Sequence, residues 1–474
     1  MKILRYLIPL MLLSACTNIL DKDPIAIYDA GTFFQTGDDA LQVLNAAYGP
    51  LLFNNDNGNY YWAFAEITSD EAITGGDGSR PGLIELEAFT YTPRTEEFNT
   101  FWKTQYEGIT QSNLVLDNIG KVEISEALRE RYTGEALFLR AYYHFLLTQI
   151  FGDVPLLTAL VPPDELRQPA SSQAVIFAQI IADCERAAPL LPITSAASDE
   201  GRATRGAALA LAAKVSLYEK NWPKVLDYVA QIKALGAYAL VADYADNYGK
   251  FTQNNSESVW EIQHANLELG LGNFLNQWWA SRKIDGYGFA EVTPAFVEAF
   301  EPGDPRLSIT VAMRNDDYFG RIYTNSFSTT RFSVRKYIQS DSVVTQKADG
   351  DINYTAIRYA EVLLWQAEAL VELNRPAEAL EPLEMVRARA RAQSADPATT
   401  LPAITTTNQA ELRQAVRHER QVELGFEMHR FFDLVRWDIA ADLLPGFEAG
   451  KHEVFPIPQT EIDLNPLLVQ HPGY

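Results

Sequence analysis

The stretch NQWWASRKIDGYGF, residues 276–289, gathers Trp278, Trp279, Tyr287 and Phe289 around two glycines and an Arg-Lys pair. Tyr318, Phe319 and Tyr323 follow downstream, and a second polar loop, GGDGSRPG at 75–82, supplies Asp77 and Arg80. Aromatic rings stack on flat apolar surfaces, while Asp and Arg offer planar hydrogen-bonding groups. Together these types suit a sugar ring, which has an apolar C–H face and a hydroxyl edge. The competing reading is that the aromatics are core, and for any single ring that reading is the stronger one. The pattern nevertheless predicts that at least one of Trp278 and Trp279 is exposed. The candidate ligand-binding set is Trp278, Trp279, Tyr287, Phe289, Tyr318, Tyr323, Asp77 and Arg80.

Catalytic patterns are harder to find. RHERQVELGFEMHRFFDLVRW, residues 417–437, brings His418, Glu419, Glu423, Glu427, His429 and Asp433 together. A His-Glu-x-x-His zinc motif would need both imidazoles on one helical face, but Val422 stands where the second His belongs. His418 and His429 are about three helical turns apart, too far to share one metal. Arg417, Arg420, Arg430 and Arg436 instead predict partly buried ion pairs between helices. GGDGSRPG lacks the Lys-Ser/Thr of a phosphate loop, and no Gly-x-Ser-x-Gly elbow occurs. With 62 acidic residues some carboxylate pair always exists, so a glycosidase stays open as an alternative without a positive sign for it. No cofactor or metal site is identified. Thr68-Ser69-Asp70-Glu71 has oxygens that could hold Ca²⁺, although such groups more often face water or cap helices.

These residues need elements to hold them. Apolar periodicity predicts helices near 39–52, 98–119, 125–150 and 173–190. Two helix–turn–helix units follow. Residues 204–234 place an Ala-rich helix before a turn at Asn221 and a Pro223-led second helix, and residues 356–391 repeat the design around Asn374-Arg375-Pro376. Both fit the tetratricopeptide pattern as well as they fit generic helical hairpins. Residues 53–100 read as loops. Between the helix pairs, residues 236–355 lose helical periodicity, and VWEIQ and FSVRKYI read as short strands. The expected architecture is mainly α: a helix-pair scaffold at about 98–235 and 356–440, interrupted by an irregular ligand-binding half.

The formal charge of −23 argues against nucleic-acid binding, which needs a basic face, and against lying flat on anionic lipid. The N-terminus, MKILRYLIPLMLLSAC, has Lys2 and Arg5, a short apolar run and a small-residue cut site. Its Leu-Ser-Ala-Cys ending resembles the lipobox of a bacterial lipoprotein, which implies a signal peptide at 1–15, a lipidated Cys16 with a lipid-anchored leader at 16–40, and one body at 41–474. Beyond Cys16 only Cys184 remains, so no intramolecular disulfide is expected.

Several of these segments together resemble the SusD/RagB family of outer-membrane lipoproteins from gut and marine Bacteroidota-type bacteria. They are LSAC at 13–16, ILDKDP at 19–24, GEALFLRAYYHFLLTQIFGDVPL at 134–156 and RYAEVLLWQAEAL at 358–370. The 417–437 segment and the closing FPIPQTEIDLNPLLVQHPGY complete the set, which spans nearly the whole chain. GYGFAEVTPAFVEAFEPGDPR at 286–306 also resembles a family segment beside the usual ligand face. The resemblance implies a SusD-like α-helical fold with tetratricopeptide-like pairs. It also implies a non-catalytic, cell-surface glycan-capture role as the lid of a TonB-dependent, SusC-like outer-membrane barrel. Oligosaccharide or polysaccharide is the implied ligand. Some members handle peptides, so peptides or another nutrient remain alternatives, as does a pure interaction scaffold. The matching segments are scaffold and carry over no ligand contact.

Overall fold

The computed structural model describes residues 34–54, 58–344 and 346–474. Cys16, the signal segment and the leader up to residue 33 lie outside them. The chain is mainly α. Its helices in order are α1 (Gly37–Tyr48), α2 (Pro81–Glu87), α3 (Glu96–Asn118), α4 (Glu126–Phe151), α5 (Gln173–Ala187), α6 (Arg205–Tyr218) and α7 (Trp222–Ala234). Short helices α8 (Leu275–Trp279), α9 (Pro294–Ala299) and α10 (Arg306–Thr310) follow, then α11 (Tyr359–Glu372), α12 (Pro376–Ala392), α13 (Gln409–Leu424), α14 (Arg430–Arg436), α15 (Ala440–Leu443) and α16 (Gln459–Leu464).

Local chemistry sets the ends of these helices. Thr36 and Asp39 form a reciprocal capping box at the start of α1, and the Ser125 and Thr204 side chains accept backbone N–H groups at the starts of α4 and α6. Pro376 opens α12, where a missing N–H costs nothing. α6 buries Ala207, Ala208, Ala210, Ala212 and Ala213, so its neighbours approach closely. Packing runs as a chain: α3 on α4, α4 on α5, α5 on α6, α6 on α7, α7 on α11, and α11 on α12 and α13. The two helix pairs, far apart in sequence, are therefore consecutive layers of one stack.

The segment between α7 and α11 leaves that stack and carries most of the strands. β2 (Ser258–Ile262) pairs antiparallel with β8 (Tyr354–Arg358). A four-stranded sheet has the order β1 (Ala72–Thr74), β3 (Ala290–Val292), β7 (Ser333–Val334), β4 (Val311–Ala312), and β5 (Asp317–Tyr318) with β6 (Arg321–Ile322) makes a small hairpin. VWEIQ is thus a strand, while FSVRKYI pairs only through Ser333 and Val334. Residues 53–100 are more ordered than expected. They hold a π-helical turn at Ala63–Ile67, β1 and α2.

Buried ion pairs fasten this segment to the scaffold. Arg358 reaches Glu257 at 2.7 Å, Glu423 at 2.6 Å and Glu427 at 2.7 Å. Arg306 reaches Asp304, Glu419 and Glu423, and Lys336 donates to Glu427 at 2.8 Å. Arg420 and Arg436 hold Asp433, and Arg436 also binds Glu368. The 417–437 segment is therefore an ion-pair hub. Burial alone would push Glu423 up, but Arg389, Arg358 and Arg306 outweigh it and hold the carboxyl well below its ordinary range. His418 Nε2 lies 2.7 Å from the Ala299 carbonyl, a backbone contact rather than a metal bond.

Candidate functional site

The β1–β3 ladder brings the two candidate loops together. Ala72 faces Val292 and Thr74 faces Ala290, and Gly75 N donates to Phe289 O at 3.1 Å, which extends the ladder one step. A Cβ at Gly75 would lie 2.2 Å from Gly288 O, so only glycine allows this approach. Residues 75–80 therefore leave the sheet beside residues 282–289. A cleft of about 550 Å³ opens between them, lined by Asp77, Ser79, Arg80, Arg282, Asp285, Gly286, Tyr287 and Phe289.

Asp77, Arg80 and Arg282 are each oriented by a partner. Asp77 accepts the Ser79 N–H at 3.1 Å and pairs with Arg282 at 3.1 Å. Hydrogen bonds from Ser79 hold its carboxyl below the ordinary range, with Arg282 adding a smaller pull. Arg80 Nη1 donates to Tyr60 Oη at 3.2 Å. The Tyr287 backbone N–H donates to Gln277 O at 2.7 Å, and its ring, 39 % exposed, leans on Phe274 and Phe289 with centroids 6.3 and 5.2 Å away.

Five of the expected ligand aromatics do not face solvent. Trp278 is 3 % exposed and Trp279 1 % exposed, against the expectation that one would be open. Trp278 stacks on Trp62 at 5.4 Å and on Tyr60 at 6.3 Å, and Trp279 packs edge-on against Tyr337 and Phe426. The cause is α8: it turns both rings inward onto the 60–67 segment. Phe289 is buried apart from the edge that lines the cleft. Tyr318 and Tyr323 are buried because their hydroxyls tie to β7, at Val334 O (2.9 Å) and Ser333 Oγ (2.8 Å). Burial pushes the Tyr323 hydroxyl up to about 12. The structure thus unites Asp77, Arg80, Tyr287 and Phe289, and it places Trp278 one layer beneath them.

Arg282 and Asp285, outside the candidate set, also line the cleft. Arg282 sits inside the quoted aromatic stretch, but only the strand register shows that it meets Asp77. The side-chain oxygens of Thr68, Ser69 and Asp70 are engaged within the protein. Thr68 Oγ1 donates to Phe64 O, Ser69 Oγ to Glu66 O, and Asp70 pairs with Arg430 at 2.7 Å. Among the described residues no group of three or more His, Cys, Asp or Glu is placed to hold a metal.

Two further clefts, of about 260 and 340 Å³, flank Gly201 and Arg202. Their shared Trp260 is buried, with Nε1 donating to Gly201 O, and so presents no open face for stacking.

With this geometry, a cleft can press a flat apolar ring face on Tyr287 while Asp77, Arg80, Arg282 and Asp285 exchange hydrogen bonds with its polar edge. Comparison with known proteins agrees with the fold. Residues 241–453 match the model of the SusD family, and residues 68–217 match a model described as starch-binding associating with outer membrane. SusD-like protein P25 of Formosa agariphila is 26% identical, covering 96% of this chain and 95% of its own length. A SusD-like carbohydrate binding protein from Bacteroides fragilis superposes with a TM-score of 0.83 at 27% identity, covering 92% of this chain and 100% of its own. A laminarin binding SusD-like protein gives 0.82 at 27%, covering 93% and 100%.

Proposed function

The chain belongs to the SusD/RagB family, and from that premise we propose that it captures oligosaccharides at the outer-membrane surface and passes them to a TonB-dependent, SusC-like barrel. Binding rather than turnover is its role. A lipid anchor on Cys16 would tether it, with several acyl chains making the attachment effectively permanent.

The observation that carries this reading is the cleft between residues 75–80 and 282–289. A half-exposed tyrosine there shares one surface with two guanidinium and two carboxylate groups. Sugars need that combination, and the two relatives at 27% identity are named for carbohydrate or laminarin binding. Single stacking contacts contribute about 0.5–1.5 kcal/mol. Useful capture would then come from many copies on one surface, which raises the effective concentration.

The test is isothermal titration of the purified protein with neutral and charged oligosaccharides, laminarin oligomers included, beside Tyr287→Ala. Saturable binding that falls about tenfold in the variant, with no product released, supports the reading. Silence towards every sugar, or sugar binding indifferent to Tyr287, refutes it. Co-purification of a barrel protein with the membrane-anchored form tests the delivery step.

A further inference from the structure

A second depression, of about 410 Å³, adjoins the cleft. Ser79 and Arg80 line both, so the two form one trough with Arg80 in the middle. The far half is walled by α2 and the first turn of α3, and Glu97, on that turn, is 3 % exposed and lines it.

Glu97 differs from the carboxylates of the ion-pair hub. Glu423, Glu427 and Asp433 each meet cationic side chains. Among the described residues Glu97 has no hydrogen bond except to its own backbone N–H, and no ion pair. Arg80 acts on it only from a distance and gives its hydrogen to Tyr60. Neighbouring Glu85 is satisfied, since Thr95 Oγ1 donates to it at 2.6 Å. The Glu97 carboxylate also occupies space reserved for it: a Cβ at Gly82 would lie 2.1 Å from Glu97 Oε2. Burial draws this carboxyl away from water and pushes it above its ordinary range. Its missing partners are donors, and the opening in front of it is the trough.

We propose that Glu97 is a binding residue of a second subsite, where it accepts two adjacent hydroxyls of a neutral sugar unit next to the one on Tyr287. This rests on the glycan reading above and adds a ligand class to it. Glu85, Glu96 and Glu97 against Arg80 and Arg94 leave this half of the trough acidic. An anionic sugar would bring like charge to Glu85, Glu96 and Glu97, none of which makes an ion pair among the described residues. The trough therefore selects neutral glycans over uronates and sulfated chains.

The experiment compares the native protein, Glu97→Gln, Gly82→Ala and Tyr287→Ala. Each is titrated with neutral hexasaccharides, laminarihexaose among them, and with an oligouronate of the same length. Thermal midpoints are measured in parallel. Expected for Glu97→Gln is about a tenfold loss for the neutral hexasaccharide, equal to about 1.4 kcal/mol, with a midpoint unchanged or raised. Gly82→Ala should show the same loss because it displaces the carboxylate. Native affinity in Glu97→Gln, alongside loss in Tyr287→Ala, overturns this inference and leaves the glycan reading standing. A lowered midpoint in Glu97→Gln assigns the residue to the fold and also overturns it. A native protein that prefers the oligouronate overturns the neutral class, and one that binds no sugar overturns both readings.

Discussion

Trp278→Ala should unfold the site rather than only empty it. The indole stacks on Trp62 and Tyr60 and tilts against Phe274, and it is almost wholly buried. A side chain of this size buries about 150–250 Å². At about 25 cal/mol per Å² that is roughly 4–6 kcal/mol, in line with the 3–5 kcal/mol typical when a buried Phe or Trp becomes Ala. Trp278→Phe keeps a ring against Trp62 and should lose about half as much. The assay is urea denaturation followed by far-UV circular dichroism, because eight tryptophans blur a fluorescence signal. Tyr287→Ala provides the contrast, since a half-exposed ring predicts a cost below about 1.5 kcal/mol. An unchanged midpoint in Trp278→Ala together with lost sugar binding would refute the reasoning and make the indole a ligand platform.

Other perturbations test the frame around the site. Arg358→Leu would take the shared guanidinium from Glu257, Glu423 and Glu427, leaving them to Arg389, Arg306 and Lys336, and should cost about 3–5 kcal/mol. Arg358→Lys should rescue little of it, as judged by the same denaturation midpoint, because one ammonium cannot make the guanidinium's several directed bonds. Gly75→Ala would push a methyl into Gly288 O, so sugar affinity should fall several-fold while the global midpoint moves little. Burial pushes the Glu66 carboxyl up to about 8, so the folded state keeps a proton that the unfolded chain releases near 4.5. That contribution is complete below pH 4.5 and is lost as pH rises towards 8. Glu66→Gln should therefore gain stability relative to the native protein across that window, and a flat difference curve would contradict the assignment.

The long helices were legible because their apolar spacing and caps agree: Ser125 starts α4, and Gly152 stops it at a φ of +65°. The 60–87 region was not. WAFAEI is a short, uniformly apolar run with no period, and α2 is seven residues long, so neither leaves a pattern to read. The aromatic loop was half legible. Its composition marked the right part of the chain and gave Tyr287, Asp77 and Arg80. It could not show that α8 turns Trp278 and Trp279 inward, because a two-Trp run beside glycines looks alike in either orientation. Arg282 meets Asp77 only through the β1–β3 register. Glu97 carried no signal at all, since a Glu-Glu pair in the first turn of a helix is ordinarily a solvated charge facing the helix dipole.

The direct packing of α7 on α11 has an evolutionary consequence. The excursion between them begins and ends at adjoining layers, so the stack closes whatever the detour contains. Closing a longer loop costs little, about 0.6 kcal/mol per doubling of length. Insertions, deletions and loop exchanges in this detour are therefore cheap, provided the anchoring charges at Glu257, Arg306, Lys336 and Arg358 are kept. Such a molecule can drift from one ligand to another by rewriting its detour while the helices that carry it stay fixed.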